Sequence, residues 1–441
     1  MKNDLLYMEQ IILNTIQTDG WFNKGGYDMR TTKIFKRDFT MVVIGQIISL
    51  FGNAILRFAL PLYLLRETNS SSLFGAVTAC SFIPMVIFSF LGGVIADRIN
   101  KRNIMVILDF ITATIISIFY ISLGELPLVP LMVVVLMLLY GISGAYQPSV
   151  QASIPLLVEY EVLAKGNATV NMVSTLSNLL GPVIGGVMFG YFGLTPILFL
   201  SIICFIISAV MEIFIHIPHQ KRKMETGVFA TVRNDLKDSF HFVKNERPIF
   251  LSVVGILALF NLVLSAAMIV GIPVMVVQVL GMSDTDLGIA QGALGLGGLV
   301  GGMLAGLIAE KFSVRHNYIF LLICSIAAFI MGVSLMSFVP KIIGFWAITA
   351  MSFVTMCVST MFTVSIFTVV QQRTPVHLLD KIMATIIAIL GCSQPIGQAL
   401  YGVLFEILYA MPWTVMVGAA IVAFVISMLS KGIFYHLEKE E

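Results

Sequence analysis

Charge is what this sequence has least of. Only 11% of its 441 residues are Asp, Glu, Lys or Arg, while 58% are hydrophobic. A water-soluble domain carries about 25% charged residues, so an ordinary soluble fold is excluded. The net charge of +2 is too small to point to a nucleic-acid partner. Cysteine is also sparse. Cys80, Cys204, Cys324, Cys357 and Cys392 all fall inside apolar runs and at no metal-ligand spacing, so neither a disulfide framework nor a metal site is expected. The six histidines (His216, His219, His241, His316, His377 and His436) stand at or beyond the ends of apolar runs. That leaves carboxylates as the proton-carrying groups within them. A phosphate-binding G-x4-G-K-S/T loop is missing, so nucleotide hydrolysis is not the expected energy source. Neither is a convergent set of His, Cys, Ser and acidic residues found at one depth, which argues against an enzyme, and no cofactor is expected.

What the chain does have is long hydrophobic runs. Roughly 20 residues cross a bilayer. Twelve spans are predicted, at 39–65, 72–96, 103–123, 129–153, 164–189, 194–216, 248–279, 283–309, 317–339, 342–370, 382–408 and 413–435. The side holding both termini then collects 23 of the 26 Lys and Arg residues. Arg66 and Lys341 fall on the other side, and Arg57 lies inside the first span. This bias places both termini in the cytoplasm of a multi-pass cell-membrane protein. The organisation read from it is a cytoplasmic segment at 1–38, a six-helix bundle at 39–216, a linker at 217–247, a second bundle at 248–436 and a tail at 437–441. Within the linker, Val232, Leu236, Phe240 and Val243 recur at helical spacing, which predicts an amphipathic surface helix over 231–245.

One short stretch concentrates the charge. Gly92-Gly93-Val94-Ile95-Ala96-Asp97-Arg98-Ile99-Asn100-Lys101-Arg102 joins the second and third spans. It repeats 213 residues later, where Gly306 to Arg315 lies over Gly93 to Arg102 without a gap. Glu310 then takes the place of Asp97, Lys311 of Arg98 and Arg315 of Arg102. The same offset lays Gln394-Pro395-Ile396-Gly397 over Gly181-Pro182-Val183-Ile184, so two homologous halves are implied. Gly93, Ala96, Asp97, Arg98, Lys101 and Arg102 match the loop that resembles the major facilitator superfamily pattern G-x-L-A-D-R-x-G-R-K, with Asn100 at the usual second glycine.

That resemblance implies an all-α fold of twelve transmembrane helices in two pseudo-symmetric six-helix bundles. It also implies transport by alternating access, as a single chain in the bilayer, of a small-molecule substrate together with protons. The loop residues would gate it: Asp97 would meet the start of the eleventh helix, with Lys101 or Arg102 completing a latch, and Glu310 would face the fifth.

The first span, Gly45-Gln46-Ile47-Ile48-Ser49-Leu50 followed by Asn53-Ala54-Ile55-Leu56-Arg57, is similar to the macrolide-efflux branch. So is the Pro148-to-Pro155 spacing of the fourth. The fifth span, with Gly181-Pro182-Val183-Ile184-Gly185-Gly186, resembles the exporter motif G-x8-G-x3-G-P-x2-G-G, with Ala168 and Ser177 at the first two glycines. Close helix approach at a proline-weakened ladder suits a bendable interface.

Candidates for the cavity or for coupling are Gln46, Asn53 and Arg57 on one face of the first span, and Tyr146, Gln147 and Gln151 in the fourth. Three carboxylates join them: Asp109, Glu212 and Glu406. Arg57 is read either as lining the cavity or as holding an internal salt bridge. Asp109 can pair with the basic loop above it or titrate, and Glu212 can be an interfacial acid beside His216. Thr355, Ser359, Thr360 and Thr363 are neutral groups that line a cavity or bond their own backbone. The expected function is proton-coupled efflux of amphiphilic, macrolide-like or multidrug-like compounds. Nutrient uptake by the same fold and a non-transporting membrane receptor are the alternatives.

Overall fold

The structure is a computed structural model and describes residues 37–159, 162–218, 248–308 and 313–439; the side chains of 90–98, 248, 308, 376, 377, 380 and 439 lie outside it. Twelve helices account for nearly all of the described residues. They are α1 (Arg37–Thr68), α2 (Ser71–Arg98), α3 (Lys101–Ser122), α4 (Leu128–Leu157), α5 (Leu163–Phe192) and α6 (Leu194–Ile213), then α7 (Ile249–Val279), α8 (Asp284–Ile308), α9 (Asn317–Ser334), α10 (Lys341–Arg373), α11 (Val376–Ile407) and α12 (Trp413–Lys439). Each contains a stretch long and apolar enough to cross a membrane.

Every helix overlaps one predicted span, and the differences at the ends have local causes. α9 stops at Ser334, short of the predicted 339, because the chain turns ahead of Pro340, which caps α10. α5 runs on to Phe192 and is stopped by Gly193 at φ +73°, a conformation that costs glycine nothing. Asn100 does not use left-handed geometry: its φ is −59°, and its side chain accepts a hydrogen bond from the Arg102 N–H at 3.0 Å to cap α3.

The repeat seen in the sequence recurs in the packing. In the first half α1 lies against α5 and α6, α2 against α4, and α3 against α4 and α6. In the second half α7 lies against α11 and α12, α8 against α10, and α9 against α10 and α12. Adding six to each helix number converts the first set into the second. The two halves meet along two seams related in the same way, α2 with α11 and α5 with α8.

Backbone approach makes these seams. A Cβ on Gly75 would sit 2.8 Å from the Gly402 Cα, and one on Gly186 would sit 2.8 Å from the Gly288 Cα. Hydrocarbon gives apolar side chains no reason to leave it, so membrane helices associate where small residues let backbones touch. Phe58, Leu62, Leu65 and Phe74 of the first half join the apolar core of the second near these contacts. Arg66 ion-pairs with Asp284 at 2.8 Å and donates to the Met282 carbonyl. Glu406 accepts from the Ser70 and Ser71 hydroxyls and the Ser72 N–H at 3.1–3.2 Å, capping α2 from the opposite half. All of these contacts lie at the end of the molecule opposite the termini.

Toward the terminal end the α5–α8 seam opens. Gly288, Gly292 and Gly295 meet Gly186, Val183 and Leu179 in turn, but Gly302 and Gly306, on the same face of α8, have open space where a side chain would stand. Along this seam the halves therefore part in a wedge, shut at the end opposite the termini. α7 departs from regular helix at two π segments, Asn261–Ser265 and Val274–Val279. Gly397 of α11 presses against the first of these at the Leu262 carbonyl.

The amphipathic helix expected at 231–245 and the segment 1–36 lie outside the described residues, as do Glu310 and Lys311.

Candidate functional site

The wedge encloses a space between the halves. Its first-half wall borders about 400 Å³ and presents Asn53 and Arg57 from α1, Ser143, Gln147 and Gln151 from α4, and Asn178 from α5. The α4 residues stand four apart, so one face of that helix supplies three polar groups. The second-half wall borders about 520 Å³ and is more apolar. It presents Phe260, Leu264, Met268, Leu294, Met356 and Leu390, with Asn261, Ser265 and the Thr355, Ser359, Thr360 and Thr363 series between them. A third lobe of about 230 Å³ reaches toward the closed end beside Phe74, Tyr140 and Gln291. It shares Arg57 with the first wall and Met268, Ile269 and Leu294 with the second, which joins all three.

Arg57 faces this space and makes no salt bridge among the described residues. Its guanidinium lies 3.7 Å from the centre of the Tyr140 ring, and Nη2 approaches Met85 Sδ at 3.6 Å. The internal ion pair considered from sequence is therefore replaced by a cation–π contact. Among the described residues lining the three lobes, Arg57 is the one that carries a charge.

Gln46 parts company with Asn53 and Arg57. It is buried within the first bundle, where its Nε2 donates to the Tyr146 hydroxyl at 2.9 Å. Tyr146 in turn donates to Glu212 Oε1 at 2.7 Å. Glu212 is thus no interfacial acid beside His216: it is fully buried, and the His216 N–H bonds Asp38 instead. Asp109 does not pair with the basic loop either. It accepts from the Ser49 hydroxyl at 3.3 Å, while the Arg102 guanidinium rests on Asn103. Ser208 ties the cluster to α1 by donating to the Gly45 carbonyl. Among the described residues, Asp109 Oδ2, Glu212 Oε2 and Gln46 Oε1 are buried without a hydrogen-bond partner. Among the described residues neither carboxyl meets a cation. A void of about 10 Å³, bordered by Ser49, Asn53, Asp109, Tyr146 and Gln147, separates Asp109 from the cavity wall. That is close to the size of one water molecule.

The exporter-type motif is a two-sided packing surface. Gly181 seats against Ala54 and Gly185 against Phe58, both on α1, while Pro182 and Gly186 approach Gly288 of α8. Glu406 borders none of the three lobes and serves as the cap of α2. The backbone of Gly93, Asp97 and Arg98 forms the last turns of α2; the side chains of Asp97 and Arg98 are not among those described. Lys101 and Arg102 open α3, Gly306 closes α8 and Arg315 sits in a short turn before α9. Sequence reasoning missed Asn261 and Ser265, which the π segment turns into the cavity, and also Ser143, Asn178, Gln291 and Gln394. A polar residue in an apolar span was the available signal; nothing marked which face it would take.

Comparisons with known proteins agree with this architecture. A family model described as Major Facilitator Superfamily matches residues 42–391. Macrolide efflux protein A of Streptococcus pyogenes is 24% identical over 401 residues, covering 89% of this chain and 95% of that protein. The staphyloferrin A transporter of Staphylococcus aureus is 20% identical over 292 residues, covering 65% of this chain and 70% of that one. The crystal structure of the nucleoside transporter NupG superposes with a TM-score of 0.71 at 14% identity, covering 90% of this chain and 99% of that chain.

Proposed function

This chain belongs to the Major Facilitator Superfamily, and on that premise we propose that it exports amphiphilic small molecules in exchange for protons. The observation that carries the reading is the wedge: a cavity between two homologous halves, shut at one end by Gly186 on Gly288 and Gly75 on Gly402 and parting along the α5–α8 seam toward the other. With both termini in the cytoplasm, as the Lys and Arg bias favours, this is the inward-facing state of a multi-pass carrier. The bundles at 39–216 and 248–436 then rock about the enclosed space, joined by 217–247. Each chain works as a monomer.

Three features favour export of an amphiphile. The span resembling an exporter motif supplies the first-half side of the α5–α8 seam. The relatives named macrolide efflux protein A align along nearly all of the chain. One wall of the cavity is largely apolar and the other more polar. Protons are the favoured counter-ion because Asp109 and Glu212 are buried without a cation, and a proton is the counter-charge such a pair lacks. The void beside Asp109 offers a one-water path to the cavity.

The test uses everted membrane vesicles. With the lumen made acidic, an exporter accumulates the compounds to which the chain confers resistance in a strain stripped of its own pumps. A carrier of the proposed kind loses that accumulation when a protonophore is added. Accumulation only in right-side-out vesicles would establish uptake instead.

A further inference from the structure

Arg57 leads beyond that reading to the substrate's charge. A guanidinium has five N–H donors. Tyr140 covers one face of this one, and a methionine sulfur takes one contact at the weak distance of 3.6 Å. The described side chains that border the cavity with it (Asn53, Ser143, Gln147, Gln151 and Asn178 on its own wall, Gln291 and Gln394 elsewhere) are all neutral. Asp109 and Glu212 lie behind α1 and α4 in the first bundle and bond Ser49 and Tyr146. An arginine in mid-membrane is costly unless it is solvated or paired. Here Tyr140 covers one face of the guanidinium, and the group borders the cavity.

We propose that Arg57, held against Tyr140, is the anchor for an anionic group, so the substrate is an amphiphilic acid, with a carboxylate as the simplest case. Planar bidentate pairing suits guanidinium and carboxylate. The polar side chains of α1 and α4 surround the head, and the apolar body lies along Leu264, Met268, Leu294 and Met356. A cationic amphiphile finds an unshielded like charge in the cavity and no acid on its walls, so it is selected against. This deepens the transport reading and rests on the same cavity.

Binding to the purified full-length protein in detergent tests it, with three matched dansyl-alkyl probes ending in a carboxylate, a carboxamide or an ammonium group. The wild type should bind the carboxylate about tenfold or more tightly than the amide, and the ammonium most weakly. Arg57→Gln should bind the carboxylate and the amide alike, and its continued binding of the amide reports an intact cavity. Arg57→Lys should restore part of the preference. The proposal is overturned if the wild type binds the ammonium probe best or the carboxylate no better than the amide, or if Arg57→Gln retains the preference. No gradient is applied, so failure of vesicle transport with these preferences intact would count against proton-coupled export alone.

Discussion

Tyr146 donates its hydroxyl hydrogen bond to Glu212 at 2.7 Å, joining α4 to α6 inside the first bundle, and receives one from Gln46 of α1 on its other side. One phenol thus ties three helices together within a buried polar cluster that also holds Ser49, Asp109 and Ser208.

Removing that oxygen should be costly. Tyr146→Phe leaves the Gln46 amide and the Glu212 carboxyl buried with a lost partner, a penalty of about 1–3 kcal/mol. The expected result is a lower thermal unfolding midpoint in detergent, with the twelve-helix content retained by circular dichroism.

The paired carboxyls give a second expectation. Asp109→Asn and Glu212→Gln keep size and hydrogen-bonding capacity but cannot release a proton. Each should still bind substrate and fold, yet lose gradient-driven accumulation in everted vesicles. If both variants pump at the wild-type rate across the pH range, this cluster is not the coupling site.

Position along one face of α8 supplies a matched pair of glycine tests. A methyl on Gly288 would meet the Pro182 carbonyl at 2.8 Å, whereas Gly302 has nothing within 4 Å. Gly288→Ala should push α5 and α8 apart at the closed end and reduce transport, while Gly302→Ala should be tolerated. Equal effects on vesicle transport would mean that the seam does not matter to the cycle.

The Arg66–Asp284 pair bridges the halves at the closed end but is partly solvent-exposed. Such pairs contribute about 0.2–1 kcal/mol, so Asp284→Asn should shift the balance of states by at most about fivefold. Spin labels on the facing ends of α1 and α8 should report more of the separated state, and added salt should produce the same shift in the wild type.

For the loop at Asp97 the expectation is a latch with the start of α11 that holds the cytoplasmic gate closed; the Asp97 side chain lies outside the described residues. Asp97→Asn should insert normally, as judged by surface labelling of membranes, and transport almost nothing. Wild-type transport in that variant removes the latch from the mechanism.

Much of this was legible from residues alone, because length and apolarity locate a membrane helix without reference to its neighbours. The 213-residue repeat fixed which helices would correspond, and the packing of α1–α6 recurs in α7–α12. Orientation was harder to read. A soluble helix advertises its buried face by a polar one, but these helices are apolar all round. Gln46 and Asn53 are seven apart and share a face by simple geometry, yet one bonds within the bundle and the other borders the cavity. Partners across the molecule were invisible for a related reason: nothing in the residues around Glu406 indicates that it caps α2. The π segment at Asn261–Ser265 shifts the phase of α7, which no 3.6-residue template anticipates.

The glycine contacts between the halves carry a mechanical consequence. Where backbone rests on backbone, no side chain has to change rotamer or leave a hole when the surfaces separate. Parting them forfeits only dispersion contact, which lipid tails can replace. Apart from the Arg66–Asp284 pair and the Glu406 cap, these seams should therefore add little to the cost of separation, and the thickness and lateral pressure of the surrounding bilayer become a direct influence on which conformation prevails.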